Sequence, residues 1–403
     1  GGGKGYESQK NPYRSARDLL GGLDILHDKL VASSETDLIV NTKSGIKKSD
    51  FGGTYFKVMT FLGLYMDFGY VEISKNGGAE VSHDMIFMGA GGFKAQNPLS
   101  TGMIGMHGSQ ASNMAVDACD LLIAIGCRFS DRVALNPSSF AKQAKIVQID
   151  IDRAEINKNV KTDHHIVGDA REVLNKLIER MDQYEHTPWK EYVFSYPIEA
   201  EYEDVDDKLT PKQILSSIAR MMPQDTIVST DVGQHQMWAI QHFHFDYAGQ
   251  LLTSGGFGTM GFGLGAAIGA KVGNPGKAVI HITGDGSFRM NCNELATEQF
   301  YQLPIITFVF NNSTLGMVRQ WQTLIYNKHY SQTTLDRGPD FVKLADAYGL
   351  KGRRVSNVEE LETAIREALE WKQGYVVDCM IDMDEMVRPM VGGGSDITDF
   401  IIS

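Results

Sequence analysis

The chain has 403 residues, a formal net charge of −12, and 42% hydrophobic and 22% charged residues. That length holds two or three domains of ordinary globular composition, and the acidic surplus argues against non-specific nucleic-acid binding. No apolar run approaches transmembrane length, no secretory signal is visible, and the four cysteines (Cys119, Cys127, Cys292, Cys379) lack Cys-x-x-Cys spacing. They read as free buried thiols rather than as a zinc site or disulfide framework. The opening Gly-Gly-Gly-Lys-Gly carries no methionine, as expected of a processed or partial chain.

Residues 1–87 read as an atypical N-terminal segment, with strand-like and helical stretches (37–40, 55–65, 70–73) among frequent glycines and no motif. Residues 88–185 are regular. Buried strands at 120–125, 145–151 and 165–168 end in Gly126-Cys127-Arg128, Asp150-Ile151-Asp152 and Gly168-Asp169-Ala170, with a helix over 171–181. This predicts a small doubly wound domain with polar residues at strand ends. Strand-end glycines with Arg128 and Arg132 suit the phosphates of a dinucleotide, and Asp150-Ile151 and Asp169-Ala170 its ribose or adenine. A cofactor-free spacer of the same fold is the alternative. Residues 186–208 read as an acidic linker, broken by Pro188 and Pro197 and rich in Glu199, Glu201, Glu203, Asp204, Asp206 and Asp207. Thr210-Pro211 then reads as a helix N-cap with proline at the first helical position. The domain at 209–385 has predicted strands at 226–230, 278–283, 305–310 and 375–381, and the Gly-rich tail 386–403 is expected to be mobile. The fold class is α/β, with tandem doubly wound parallel sheets.

The chemistry concentrates at strand ends of the last domain. The run Ala278–Ile282 leads into Gly284-Asp285-Gly286-Ser287, and Pro304–Phe310 leads into Asn311-Asn312, with one helix at 293–301 between them. A β-α-β unit places Asp285 and Asn312 at the carboxyl ends of adjacent parallel strands, where open α/β sheets bind ligands. A carboxylate and an amide oxygen suit a hard divalent ion such as Mg²⁺, which completes its octahedron with phosphates and water. Gly284 and Gly286 let backbone N–H groups approach a diphosphate. A second wall is expected at Asp231-Val232-Gly233-Gln234-His235, where the start of a helix favours an anion. The run from Gly255 to Gly263 precedes a helix at 266–271 and holds Met260, a soft side chain able to fill the concave side of a bent cofactor. Met317, Val318 and Trp321 share one helical face, which is core packing or a pocket wall.

The Gly-Asp-Gly…Asn-Asn spacing resembles the thiamine diphosphate (TPP) motif. Longer strings are similar to the acetohydroxyacid synthase (acetolactate synthase) catalytic-subunit family over roughly residues 87–403: Gly-Gln-His-Gln-Met-Trp at 233–238, Gly-Thr-Met-Gly at 258–261, Gly-Met-Val-Arg-Gln-Trp-Gln at 316–322, and Tyr-Ser-Gln-Thr-Thr-Leu-Asp-Arg-Gly-Pro-Asp-Phe at 330–341. The resemblance implies that Asp285, Asn312 and the Thr314 carbonyl hold Mg²⁺ against the TPP diphosphate. It implies TPP contacts from Val232, Gly233, Gln234, His235, Gly258, Met260, Gly284, Gly286, Ser287 and Met290. Met260 would prop TPP in a V shape, and Met317, Val318 and Trp321 would line the pocket of the second 2-keto acid. FAD, in a structural role, would meet Ile104, Gly105, Met106, His107, Gly126, Cys127, Arg128, Asp131, Arg132, Val133, Asp150, Ile151, Asp169 and Ala170. Ser130 stands where the family usually has Asp, and Gly265 and Gly392 stand where it usually has Pro.

The implied activity is decarboxylation of pyruvate and carboligation to pyruvate or 2-ketobutyrate, in branched-chain amino acid biosynthesis. The expected assembly is a homodimer or homotetramer, with a possible regulatory subunit. The expected compartment is cytoplasmic in bacteria and plastid or mitochondrial in eukaryotes. The family's pyrimidine-binding domain, with the Glu that activates TPP, is not found in residues 7–87, where Glu72 and Glu80 are only exposed candidates. Two alternatives follow: a half-enzyme module that holds TPP and FAD and needs a partner chain, or another FAD-containing TPP carboligase such as a glyoxylate carboligase.

Overall fold

A computed structural model describes residues 58–62, 82–85, 89–180, 187–199 and 208–401. The chain divides into two units, residues 1–198 with 389–403, and residues 199–388.

The first unit is built on six parallel strands: β1 (Val58–Leu62), β2 (Ser82–Met85), β3 (Ser100–Met103), β4 (Leu121–Ile125), β5 (Lys145–Asp150) and β6 (His164–Val167). Their spatial order is β3-β2-β1-β4-β5-β6, the doubly wound order that reverses beside its first strand. Helices α1 (Gln110–Ala118), α2 (Ala170–Ile178) and α3 (Thr187–Val193) accompany the sheet. Ile125, Ile149 and Ile166, one from each of three neighbouring strands, pack with Val173 and Leu174 of α2. Burying each such side chain contributes about 1.5–3 kcal/mol.

Three expectations change here. The sheet does not begin at residue 88, because β1 and β2 lie within the segment read as atypical and β1 pairs with both β2 and β4. The stretches 37–40 and 70–73, with Glu72 and Glu80, lie outside the described residues. The region read as an acidic linker contains α3, whose Trp189 and Val193 are 3% and 0% exposed. Apolar anchors on one short helix outweigh the proline and acidic content that suggested a loop. The tail is not loose either. Strands β13 (Met390–Val391) and β14 (Phe400–Ile401) pair antiparallel, Met390, Val391 and Ile397 are buried, and the Asn113 amide donates to the Ile397 carbonyl at 3.1 Å.

The second unit also has six parallel strands: β7 (Ile227–Thr230), β8 (Leu251–Thr253), β9 (Val279–Gly284), β10 (Ile305–Asn311), β11 (Lys351–Val355) and β12 (Tyr375–Met380). They run in the order β11-β12-β10-β9-β7-β8. All seven residues of β10 are buried, as expected of an apolar run covered on both faces. The sequence reading lacked β8 and β11, which are short or alternate charged residues. The helices are α4 (Pro211–Met221), α5 (Gln234–His242), α6 (Phe262–Gly273), α7 (Asp285–Asn291), α8 (Leu295–Phe300), α9 (Gly316–Leu324), α10 (Phe341–Ala347) and α11 (Val358–Trp371). Thr210 caps α4 in a full capping box with Gln213, and Pro211 is the first helical residue. Chain direction across the sheet reverses between β7 and β9, so a crevice is expected outside their carboxyl ends.

Candidate cofactor site

A cavity of about 250 Å³ sits at that crevice. Its walls are residues 232–235 after β7, 284–287 after β9 and 314–318 after β10, with Trp238, Gly258, Met260, Phe310 and Asn312. These three stretches are the amino ends of α5, α7 and α9. Unpaired N–H groups at a helix start carry partial positive charge, so three of them around one cavity favour a multiply charged anion such as a diphosphate.

Asp285 is 2% exposed, and its Oδ2 is buried without a hydrogen-bond partner. Burial pushes this carboxyl up to about 7, against the opposing charge of Arg289. A cation would satisfy the orphaned oxygen. Asn312 and Thr314 line the same cavity, at 7% and 2% exposure. Among the described residues, no three His, Cys, Asp or Glu side chains converge as metal ligands. One carboxylate, one amide oxygen and a main-chain carbonyl are too few for a closed transition-metal site, and fit an ion that keeps phosphate and water ligands.

The glycines serve their neighbours as well as a ligand. His235 is seated between Gly233 and Gly284, and a Cβ on either would lie 2.9 Å from its ring. Burial lowers the His235 pKa to about 4, so the imidazole is neutral near pH 7, and its buried Nε2 has no partner among the described residues. That nitrogen is free for a ligand. A Cβ on Gly286 would lie 2.8 Å from Leu315 Cδ2.

Gln234 is not the free phosphate donor that its position suggested. Its Nε2 donates to Gln320 Oε1 and to the Glu385 carbonyl, both at 2.9 Å, and its Oε1 accepts from Asn312 Nδ2 at 3.3 Å. It braces α9 and the turn at Asn312. Ser287 likewise spends its hydroxyl on the Val232 carbonyl at 2.8 Å, tying the turn after β9 to the turn after β7.

Met260, Met317 and Val318 line the cavity. Trp321 does not. It lines an adjoining, more open cavity of about 450 Å³ with Val318, Ile325 and Tyr326. Met290 is 56% exposed and lies outside both linings, because α7 turns it away from the strand ends. Sequence reasoning missed Trp238, Phe310, Leu315 and Gly316 as wall residues. Asp231, read from the sequence as part of the anion-facing wall, is instead buried: its carboxylate takes the Gly263 N–H and the Thr283 hydroxyl, each at 2.6 Å, and sits 3.4 Å from His281 Nε2. Burial alone would raise the Asp231 pKa, but His281, Thr283 and Gly263 outweigh it and hold it at about 2. Asp231 thereby anchors the start of α6, just after Met260.

In the first unit, two of the expected dinucleotide segments meet. The Met106 N–H donates to the Arg132 carbonyl at 2.8 Å, and Gly105, at φ +100°, lets that carbonyl approach where a Cβ would overlap it. Ile104, Met106, His107, Cys127 and Val133 are buried. Burial takes the His107 pKa to about 4 and the Cys127 thiol to about 12, so neither is charged near pH 7. Gly126 adopts φ +60° at the end of β4. Arg128 is exposed, Asp131 and Arg132 form an exposed ion pair at 3.0 Å, and Ile151 is 71% exposed beside Asp150. Asp150 is spent locally, accepting from the Asp152 N–H at 2.8 Å, and its carbonyl accepts from the Gly168 N–H at 3.0 Å. Asp169 caps α2 at Ala170 by accepting from the Glu172 N–H. The exposed cations, the apolar Ile151 and the close-approach glycines fit a dinucleotide. Asp150 and Asp169 are less available to it than their strand-end positions suggested.

Two families of known proteins match this architecture: "Thiamine pyrophosphate enzyme, central domain" over residues 81–177, and "Thiamine pyrophosphate enzyme, C-terminal TPP binding domain" over residues 231–379. The chain belongs to the thiamine pyrophosphate enzymes, of which it carries the central and TPP-binding domains. Within that family it is similar to acetolactate synthases. It is 45% identical over 325 residues to the probable acetolactate synthase large subunit of Methanocaldococcus jannaschii, covering 78% of this chain and 55% of the relative. It is 40% identical over 315 residues to the isozyme 2 large subunit of Escherichia coli (78% and 57%). It is 39% identical over 341 residues to the mitochondrial catalytic subunit of Saccharomyces cerevisiae (80% and 49%). The chain thus spans about half the length of the curated relatives it matches. Among the described residues, no helix is long and apolar enough to cross a membrane.

Proposed function

We propose that this chain is the catalytic chain of an acetolactate synthase, or the cofactor-holding part of one. It would join pyruvate, with loss of CO₂, to a second pyruvate or to 2-ketobutyrate. The observation that carries this is the cavity where three helix amino ends, the orphaned Asp285 oxygen and Asn312 surround space for a metal diphosphate, with Met260, Met317 and Val318 on its apolar side. When bound, TPP supplies a nucleophilic carbon and an electron sink for the departing CO₂. The chain's residues do the rest. Asp285, Asn312 and the Thr314 carbonyl would hold Mg²⁺, the helix N–H groups would neutralise the diphosphate, and neutral His235 would donate its ring N–H to one of its oxygens. Val318, which lines both cavities, and Trp321, which lines the adjoining one, would bound the second 2-keto acid and exclude water from it. FAD would occupy the segments around Gly105 and Gly126 in a structural role.

Among the described residues, no glutamate lines the cavity. The carboxylate that activates TPP in this family would come from residues outside the described ones or from a second chain, which supports a homodimer or a partner chain. The relatives named as large subunits support a regulatory small subunit as a further partner. The test is acetolactate formation from pyruvate by the purified chain with Mg²⁺, TPP and FAD, beside Mg²⁺-dependent TPP binding. Product formation supports a self-sufficient catalytic chain. Binding without product supports the cofactor-holding module. Absence of Mg²⁺-dependent binding overturns both.

A further inference from the structure

Asp378 lies on β12, beside β10, and is fully buried. A carboxylate inside a sheet must be compensated. Its Oδ2 accepts from Arg354 Nε at 2.8 Å, from the neighbouring strand β11. Its Oδ1 accepts from Asn311 Nδ2, also at 2.8 Å, on the last residue of β10. This fixes the orientation of the Asn311 amide. The Asn311 Oδ1 therefore points onward and accepts from the Ser313 N–H at 3.2 Å. Ser313 has φ +54°, a left-handed conformation that strains a non-glycine residue. That reversal brings both Asn312 and Thr314 to the cavity. A second brace holds the far side, where the Leu335 N–H donates to the Ser313 carbonyl at 2.7 Å.

We propose that Asp378 is a positioning residue for the ion site: through Asn311 it holds the left-handed turn at Ser313 that presents Asn312 and Thr314. The inference rests on the ion-site reading above. The arrangement lets a buried strand residue more than sixty positions away in sequence set ligand geometry without touching the ion. Arg354 balances the Asp378 charge and also lies 3.3 Å from Asp340. Its side chain is 46% exposed, so removal of Asp378 leaves the guanidinium solvated and paired.

The test is equilibrium dialysis of TPP against the full-length chain at increasing Mg²⁺, which needs no turnover. Asp285→Asn should abolish Mg²⁺-dependent binding. Asn311→Ala and Asp378→Ala should each raise the half-saturating Mg²⁺ concentration by about tenfold, within the range for outer partners of metal ligands. The double variant should be no weaker than either single, because both cut one chain of contacts. Asn311→Ala leaves every charge in place, so its shift reports geometry and not electrostatics. Adding Ser313→Gly to Asn311→Ala should recover most of the affinity, since glycine adopts φ > 0 without strain. General destabilisation would not be rescued in this way. Wild-type Mg²⁺ titrations from Asn311→Ala and Asp378→Ala, with Asp285→Asn inactive in binding, would overturn the role of Asp378 alone. So would a weakened Asn311→Ala that Ser313→Gly does not restore, and this pair decides the matter if Asp378→Ala does not fold. Binding that is indifferent to Asp285→Asn would instead overturn the ion site itself.

Discussion

Gly316 opens α9 with ordinary helical backbone, so propensity alone predicts that Gly316→Ala stabilises the helix by up to about 1 kcal/mol. The tertiary structure reverses that sign. A Cβ at 316 would overlap Gln234 Oε1 and lie 2.7 Å from Asn312 Nδ2. Gln234 has no slack to give, because it is 4% exposed and bonded to Gln320, Glu385 and Asn312. Displacing it loses two or three buried hydrogen bonds, each worth about 0.5–1.5 kcal/mol, and orphans groups at about 1–3 kcal/mol each. After the helical gain is subtracted, the net is a loss of about 2 kcal/mol, or about 4–8 °C in Tm for a unit of this size. Differential scanning calorimetry measures it, with Gly316→Ala repeated in a Gln234→Ala background. There the overlap with Gln234 is gone and only the Asn312 amide stays close, so the same substitution should lower Tm by much less than in the wild type. An unchanged or raised Tm for Gly316→Ala alone would refute the reasoning.

Acid sensitivity should follow from buried histidines. His107, His235 and His242 are held neutral by burial, each with a pKa of about 4 against an ordinary 6.5. Their contribution to stability is full above pH 6.5 and is lost as pH falls toward 4, because the unfolded chain binds those protons first. Urea midpoints at pH 7.0 and 4.5 should therefore fall less for His242→Asn than for the wild type, and equal falls would count against it. Asp231 gives the matching case at lower pH. Its pKa of about 2 lies below the ordinary 3.8, so its stabilisation of about 2 kcal/mol is present above pH 4 and lost between pH 4 and 2. Asp231→Asn should flatten the stability profile there and loosen the Met260 loop, seen as faster amide exchange at Gly263. Trp321→Leu should change the ratio of 2-ketobutyrate to pyruvate products while leaving Mg²⁺-dependent TPP binding intact, since Trp321 lines only the adjoining cavity; an unchanged ratio removes it from substrate selection.

Local chemistry was enough to read much of this protein from its sequence. Short β-branched runs followed by Gly-Asp-Gly and Asn-Asn state strand and cavity wall together, because a buried parallel strand is a continuous apolar run and its carboxyl end opens on the crevice of an α/β sheet. Thr210 and Pro211 spelled out a helix start for the same reason, since an N-cap is satisfied within one turn, and the structure adds Gln213 to complete a capping box. The sequence could not show what lies across the sheet. Gln234 stands at a helix start like any anion donor, and only its contact with Gln320, 86 positions away, shows that its amide is already spent. Met290 shares a motif with Asp285, yet the rotation of α7 carries it to the surface. The tail looked loose because glycines dominate its local composition, while Met390, Val391 and Ile397 are buried and hydrogen bonds tie it to Met106, Leu135 and Asn113, far away in the chain. Asp378 reads as an unremarkable acid in a strand, and only strand order brings it beside Asn311. Motif residues act over a few positions and can be read from the sequence; the groups that hold them are distant in sequence, and packing alone selects them.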